Sequence, residues 1–209
     1  MTQKNTDKNL WNKYYSVSKV GKLTNTIFNL LNREPIKSKI RKSINKDIDN
    51  IGAILEAGCG DGKKLKLLLK KVNYVIGLDF SENAVKVAYK ANPDAHIYRG
   101  DIRKLPFKDN SIDYILSLGV IEHFENPSLL VNKMARVLKK DGILFLTTPN
   151  NIYLNKHIVK IAKQRFGRQD LYSPNELSNI CKSCGLSILE SYDCDFAEAW
   201  GGVVLSHIS

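Results

Sequence analysis

The 209-residue chain has no apolar run near the roughly 20 residues needed to cross a bilayer. Its start, MTQKNTDKNL, lacks the apolar stretch of a secretory signal. The expectation is a soluble, cytoplasmic protein. Cysteine is scarce, with four residues: Cys59, Cys181, Cys184 and Cys194. Cys181 and Cys184 form one C-x-x-C, but a zinc site needs a second pair or histidines at ligand spacing. Cys194 has no such mate and His207 stands alone, so no metal is expected. Arginine is scarce as well, 7 against 25 lysines. The net charge of +11 invites a nucleic-acid partner, yet arginine is the better bidentate reader of phosphate. Asparagine and isoleucine are also abundant, which favours a lysine-biased, solvated surface. A nucleic-acid partner is therefore the lesser reading, while an anionic acceptor or membrane surface fits the same charge.

No internal repeat or low-complexity tract is visible, and 209 residues suit one domain. The first fifty residues carry eleven Lys or Arg against four Asp or Glu. Ile27, Leu30 and Leu31 fit one helix face, and Ile36, Ile40 and Ile44 another, with Pro35 between them. Residues 1–50 thus read as a helical extension or lid, and 51–209 as the main domain. Trp11, Tyr14 and Tyr15 cluster in that basic stretch.

After Gly52 short apolar runs alternate with helical segments. The runs are 53–56, 74–79, 95–99, 112–118 and 143–148; the helices are 63–71, 81–90 and 128–140. This alternation predicts a doubly wound, mostly parallel α/β sheet with helices on both faces. Ser81 reads as an N-cap with Glu82 in the first turn, and Asp141-Gly142 as the end of the 128–140 helix. A further helix is expected over 174–184, stopped by Gly185, then antiparallel strands over 186–192 and 203–208.

The sharpest signal is Glu56-Ala57-Gly58-Cys59-Gly60-Asp61-Gly62, which follows a strand and opens a helix. Its glycines allow a sharp bend and close approach to a ligand. The spacing G-x-G-x-G differs from the dinucleotide pattern G-x-G-x-x-G, and so suits a ligand without a pyrophosphate. Asp79 ends the next strand, about 20 residues on, where an acid can accept from both ribose hydroxyls. Asp101 follows the third strand. Ligands of open α/β sheets bind at the strands' carboxyl ends, and Glu56, Asp79 and Asp101 all fall there.

Four stretches, ILEAGCGDG, GLDFSENAV, GDIRKLPFKDNSIDYILSLGVIEHF and LKKDGILFLTTPN, resemble the class I S-adenosylmethionine-dependent methyltransferases. The resemblance is to the small-molecule branch that includes quinone-biosynthesis enzymes, and it spans roughly residues 53–150. It implies a seven-stranded, Rossmann-like sheet with an antiparallel last strand, and leaves open whether that strand is complete here. It implies that Glu56, Ala57, Gly58, Cys59 and Gly60 surround the cofactor's methionine end. Asp79 would hold the ribose, Phe80 would pack near the adenine, and Asp101 and Ile102 would meet its edge. Leu118 and Gly119 would offer backbone contacts to the amino group. The product would be S-adenosylhomocysteine.

Gly119-Val120-Ile121-Glu122-His123 stands where nucleobase N-methyltransferases carry an Asp/Asn-Pro-Pro-aromatic motif, which is absent. The expected acceptor is a small or lipid-like molecule with an O, N or C nucleophile. An RNA methyltransferase or a non-catalytic cofactor-binding module are the alternatives. His123 and Glu122 follow the fourth strand at the edge where the methyl group should point, so either is a candidate proton acceptor. Positioning alone is the competing account.

Overall fold

The apolar runs after Gly52 form strands because β-branched and leucine-rich segments of five to seven residues can be buried on both faces. The computed structural model describes residues 6–16, 38, 40, 42, 51–69, 72, 74–149, 170–193 and 200–208. In chain order these give α1 (Thr6–Ser16), β1 (Ala53–Ala57), α2 (Leu65–Leu69), β2 (Tyr74–Asp79), α3 (Glu82–Ala91) and β3 (His96–Arg99). A 3-10 turn at Ile102–Lys104, β4 (Ile112–Leu118) and a second 3-10 turn at Ile121–His123 follow. The chain continues through α4 (Pro127–Val137), β5 (Leu138–Pro149), α5 (Pro174–Ser183), β6 (Leu186–Asp193) and β7 (Trp200–Ile208).

The strands form one sheet in the order β3-β2-β1-β4-β5-β7-β6. Neighbours from β3 to β5 are parallel, and β7 runs antiparallel to β5 and β6. Period-2 alternation divides the core between the two faces. Leu55, Ile115, Leu144 and Leu146 join one cluster, with Met134 of α4 and Leu177 of α5. Ile54, Tyr114, Leu116 and Phe145 join the other, with Leu65 of α2 and Ala88 of α3. The strand order reverses between β1 and β4, which opens a crevice at their carboxyl ends.

Ser81 caps α3, its side chain accepting from the Ala84 amide at 3.3 Å. The helix expected over 128–140 starts one residue earlier and stops at Val137. Leu138 already pairs with Ile112, so Lys139, Lys140 and Asp141-Gly142 belong to β5 rather than to a helix end. The turn-like residues sit in an irregularity: between the pairs Ile112↔Leu138 and Tyr114↔Ile143, β4 advances two residues and β5 five. Lys139 is held there by Asp113 at 2.6 Å, and a side chain at Gly142 would strike the Asp113 carbonyl. β7 is nine residues long and pairs with β5 from Ile143 to Pro149, so it is neither short nor missing.

Cys181 is buried on α5, and Cys184 caps that helix half-buried. Ile40 is buried against the second cluster. Apart from residues 38, 40 and 42, which are helical, the two helices expected before residue 50 lie outside the described residues, as do the basic stretch 150–169 and Cys194. Among the described residues, no helix is long and apolar enough to cross a membrane.

Candidate functional site

β1 ends at Ala57 and the chain must turn at once into α2, so the loop is built on glycine. Gly58 has φ of +85° and Gly60 of +54°, a region that side chains disfavour. There is no room for side chains either. A Cβ on Gly58 would sit 2.5 Å from Val120, and one on Gly60 would collide with the Tyr15 hydroxyl. The Gly58 and Cys59 amides donate to the Leu78 carbonyl at 2.8 and 3.0 Å, so the loop folds back over the end of β2.

Asp79 ties the two strand ends together. One carboxylate oxygen accepts from the Gly60 amide and the other from the Ser81 amide, both at 2.9 Å. It is only 8% exposed. Burial raises its pKa, and the Ser81, Gly60 and Phe80 amides oppose that rise. An ionised carboxylate has about four acceptor positions, so each oxygen keeps capacity for a further donor such as a vicinal diol.

A cavity of about 580 Å³ lies along this edge. Of the residues singled out from the sequence, Gly58, Asp79, Phe80, Asp101, Ile102, Leu118, Gly119 and His123 line it. Others are placed elsewhere. Ala57 is fully buried in the first core cluster and Cys59 in the second, where burial raises its thiol pKa far above the ordinary range. Glu56 and Glu122 lie behind the surface, 3% and 2% exposed. Gly60 is covered by Tyr15.

Asp101 departs from the simple picture of an open acceptor. Both of its oxygens take bonds from Arg103, through Nε at 2.9 Å and Nη2 at 2.6 Å, and the Arg103 amide adds another at 2.9 Å. Half-burial would raise this carboxyl, but the bonds and charge of Arg103 hold it below the usual range. The Arg103 guanidinium also stands 5.9 Å from the Phe124 ring. Arg103, Phe124, Val120 and Arg99 line the cavity and had not been picked out. Their signal was faint, amounting to adjacency to Asp101 and His123.

The 3-10 turn after β4 points two neighbours apart. His123 faces the cavity, with the Trp11 ring edge-on at 5.0 Å. Glu122 turns inward, its Oε1 4.0 Å from His123 Nε2 and its Oε2 buried without a partner among the described residues. Burial pushes the Glu122 carboxyl up to about 8. Glu56 behaves alike: Oε2 is buried without a partner and burial lifts the carboxyl to about 8, with Lys64 opposing. α1 closes the other side, Trp11 and Tyr15 lining the cavity. Asn12 fastens the helix, accepting from the Ser81 hydroxyl and the Asn83 amide group at 2.8 Å each.

A methyltransferase-domain family model matches residues 55–146, which hold this glycine loop, Asp79, Asp101 and His123. A probable S-adenosylmethionine-dependent methyltransferase of Mycobacterium tuberculosis is 35% identical over 99 residues, 47% of this chain. Residues 55–146 thus form a methyltransferase domain similar to those of S-adenosylmethionine-dependent methyltransferases. The match takes in 36% of that mycobacterial relative, so the chain spans little more than a third of its length. A ubiquinone biosynthesis O-methyltransferase of Bartonella quintana is 26% identical over 174 residues, covering 74% of this chain and 70% of that protein. The fold matches the magnesium protoporphyrin IX methyltransferase of Synechocystis, solved with bound S-adenosylhomocysteine, with a TM-score of 0.71 at 18% identity over 97% and 95% of the two chains. The methyltransferase resemblance seen in the four sequence stretches is thereby established, as is the Rossmann-like α/β fold.

Proposed function

We propose that this domain binds S-adenosylmethionine in the described cavity and transfers its methyl group to a small or lipid-like acceptor through an O, N or C nucleophile. The observation that carries the reading is Asp79, a nearly buried carboxylate clamped to the glycine loop with acceptor capacity left on both oxygens. The reversed β7 in a seven-stranded sheet supports the class I assignment. The residues present fit the cofactor: Gly58 and Gly60 leave no space for side chains, and Glu56 holds a buried oxygen that lacks a donor.

In this reading Asp79 accepts from the ribose hydroxyls and Phe80 flanks the adenine. Asp101 and Ile102 meet the adenine edge, with the amino group sharing Asp101 with Arg103. Leu118 and Gly119 offer carbonyls, since the Gly119 amide is already spent on the Thr147 carbonyl at 3.0 Å. Glu56 stands behind the loop as an acceptor for the amino group, whose positive charge would favour the ionised carboxylate against the rise that burial imposes. The bound cofactor supplies an already activated sulfonium methyl. The protein's part is to align the nucleophile, exclude water and move a proton; orientation alone is worth roughly 7–11 kcal/mol. His123 faces the cavity and takes the acceptor's proton, while Glu122 positions the imidazole. Within residues 1–50, α1 contributes cover over the pocket through Trp11 and Tyr15.

The experiment is incubation of the protein with methyl-labelled cofactor and a cell extract, followed by mass spectrometry of labelled products. A labelled small molecule supports the proposal. Label confined to RNA would replace the acceptor class, and tight cofactor binding without any product would make the domain a sensor.

A further inference from the structure

The glycine loop has committed the amides of its three glycines and of Cys59. The amides of Gly58 and Cys59 go to Leu78, that of Gly60 to Asp79, and that of Gly62 to the Cys59 carbonyl. A loop that binds an anion does so with unspent, converging amides, and these four are committed. The side chains around Gly60 are acceptors. Asp79 and Asp61 act electrostatically on the Tyr15 phenol and on Glu56 behind the loop. An amino acid's ammonium group is welcome there, but its carboxylate needs a donor to offset the acids Asp79 and Asp61.

Tyr15 supplies one. Its hydroxyl packs directly on Gly60 and makes no hydrogen bond among the described residues, while its ring stacks with Trp11 at 6.3 Å and meets Tyr14 edge-on at 4.9 Å. Two interactions with Asn12 pin its helix to the start of α3. We propose that the Tyr15 hydroxyl donates to the carboxylate of the cofactor's amino-acid end, which makes α1 part of the binding site. The proposal rests on the cofactor reading above. Burial and the nearby acids raise the phenol's pKa well above its usual value, so the hydroxyl stays a donor throughout the physiological range. Trp11, one turn earlier on the same helix, touches His123. Seating of the cofactor's amino-acid end and support of the His123 ring thus depend on one helix.

The test is calorimetry on the full chain with two ligands. S-adenosylhomocysteine carries the amino-acid end; 5′-methylthioadenosine has the same adenosine and lacks it. Tyr15→Phe keeps the ring and its packing. The expected result is roughly tenfold to a hundredfold weaker S-adenosylhomocysteine binding, as for loss of one hydrogen bond to a charged group, with 5′-methylthioadenosine unchanged. Unchanged affinity for both ligands overturns the proposal and leaves the cofactor reading standing. Equal weakening of both also overturns it, because Tyr15 would then only hold the helix. Failure of the parent protein to bind either ligand removes the cofactor reading and this proposal with it. Melting of Tyr15→Phe at the parental temperature without ligand shows that the comparison is between folded proteins.

Discussion

Two acids at the carboxyl edge of the sheet live under opposite rules. Asp79, at the end of β2, is 8% exposed and receives a backbone N–H on each oxygen. Glu122, just past β4, is 2% exposed and leaves Oε2 without a partner among the described residues. Ser117 of β4 and Thr148 of β5 likewise bury unpartnered hydroxyls. A buried polar group left unpaired costs about 1–3 kcal/mol. The β2 end is thus organised before a ligand arrives, as suits a partner whose chemistry is constant. The β4 end stores unsatisfied polar groups, as suits a place where proton transfer or a variable partner completes the set.

The comparison can be broken first at His123. His123→Ala should lower kcat by roughly 10²–10⁴ while cofactor affinity stays near the parental value. Single-turnover kinetics with the true acceptor measures it, and an unchanged rate and pH profile would assign catalysis to positioning alone. At the organised end, Asp79→Ala removes the acceptors for the ribose and the clamp on Gly60. Binding of S-adenosylmethionine should weaken by roughly a hundredfold or more, as expected for two charge-assisted hydrogen bonds. Parental affinity in that variant would take Asp79 out of the site.

A third test concerns stability against pH. The Glu122 carboxyl titrates near 8 when folded, against an ordinary value of 4.5. Between those values the folded state holds the proton and the unfolded state has lost it, so stability falls as pH rises and levels off above about 8. Glu122→Gln removes that loss, on the order of 1 kcal/mol per pH unit within the window. Its melting temperature relative to the parent should climb from pH 5 to pH 8. A constant difference across that range would mean Glu122 is ionised and paired throughout. The smallest effect is expected at Asn12→Ala, which removes the acceptor for the Ser81 hydroxyl and about 1 kcal/mol of α1 docking. Hydrogen exchange over Thr6–Ser16 should quicken and be slowed again by cofactor; identical exchange in both states would deny α1 a covering role.

Much of the glycine-loop edge of the cavity was written locally. The G-x-G-x-G spacing, the acid at Asp79 and the cap at Ser81 are set by turn geometry within a few residues, so a linear reading reaches them. The strand Ile112–Leu118 and the helix Glu82–Ala91 likewise follow from hydrophobic period and capping. Other features depended on partners far along the chain. Residues 139–142 read as a helix end until pairing with β4 draws them into a strand, because sheet pairing outweighs the local turn preference of Asp141-Gly142. Glu122 and His123 are adjacent in sequence and equivalent as candidates there; the 3-10 turn sends one into the core and the other to the cavity.

The sequence by itself determined the α/β alternation, the glycine loop and the acids at the strand ends, since each is encoded by short-range periodicity and turn chemistry. Only the tertiary structure decided that Ala57 and Cys59 face the core and that Tyr15 comes to lie on Gly60, 45 positions further along the chain. Those outcomes turn on how side chains from separate elements compete for one small volume and a limited set of hydrogen-bond donors, and that competition exists only once the sheet and its covering helices are assembled.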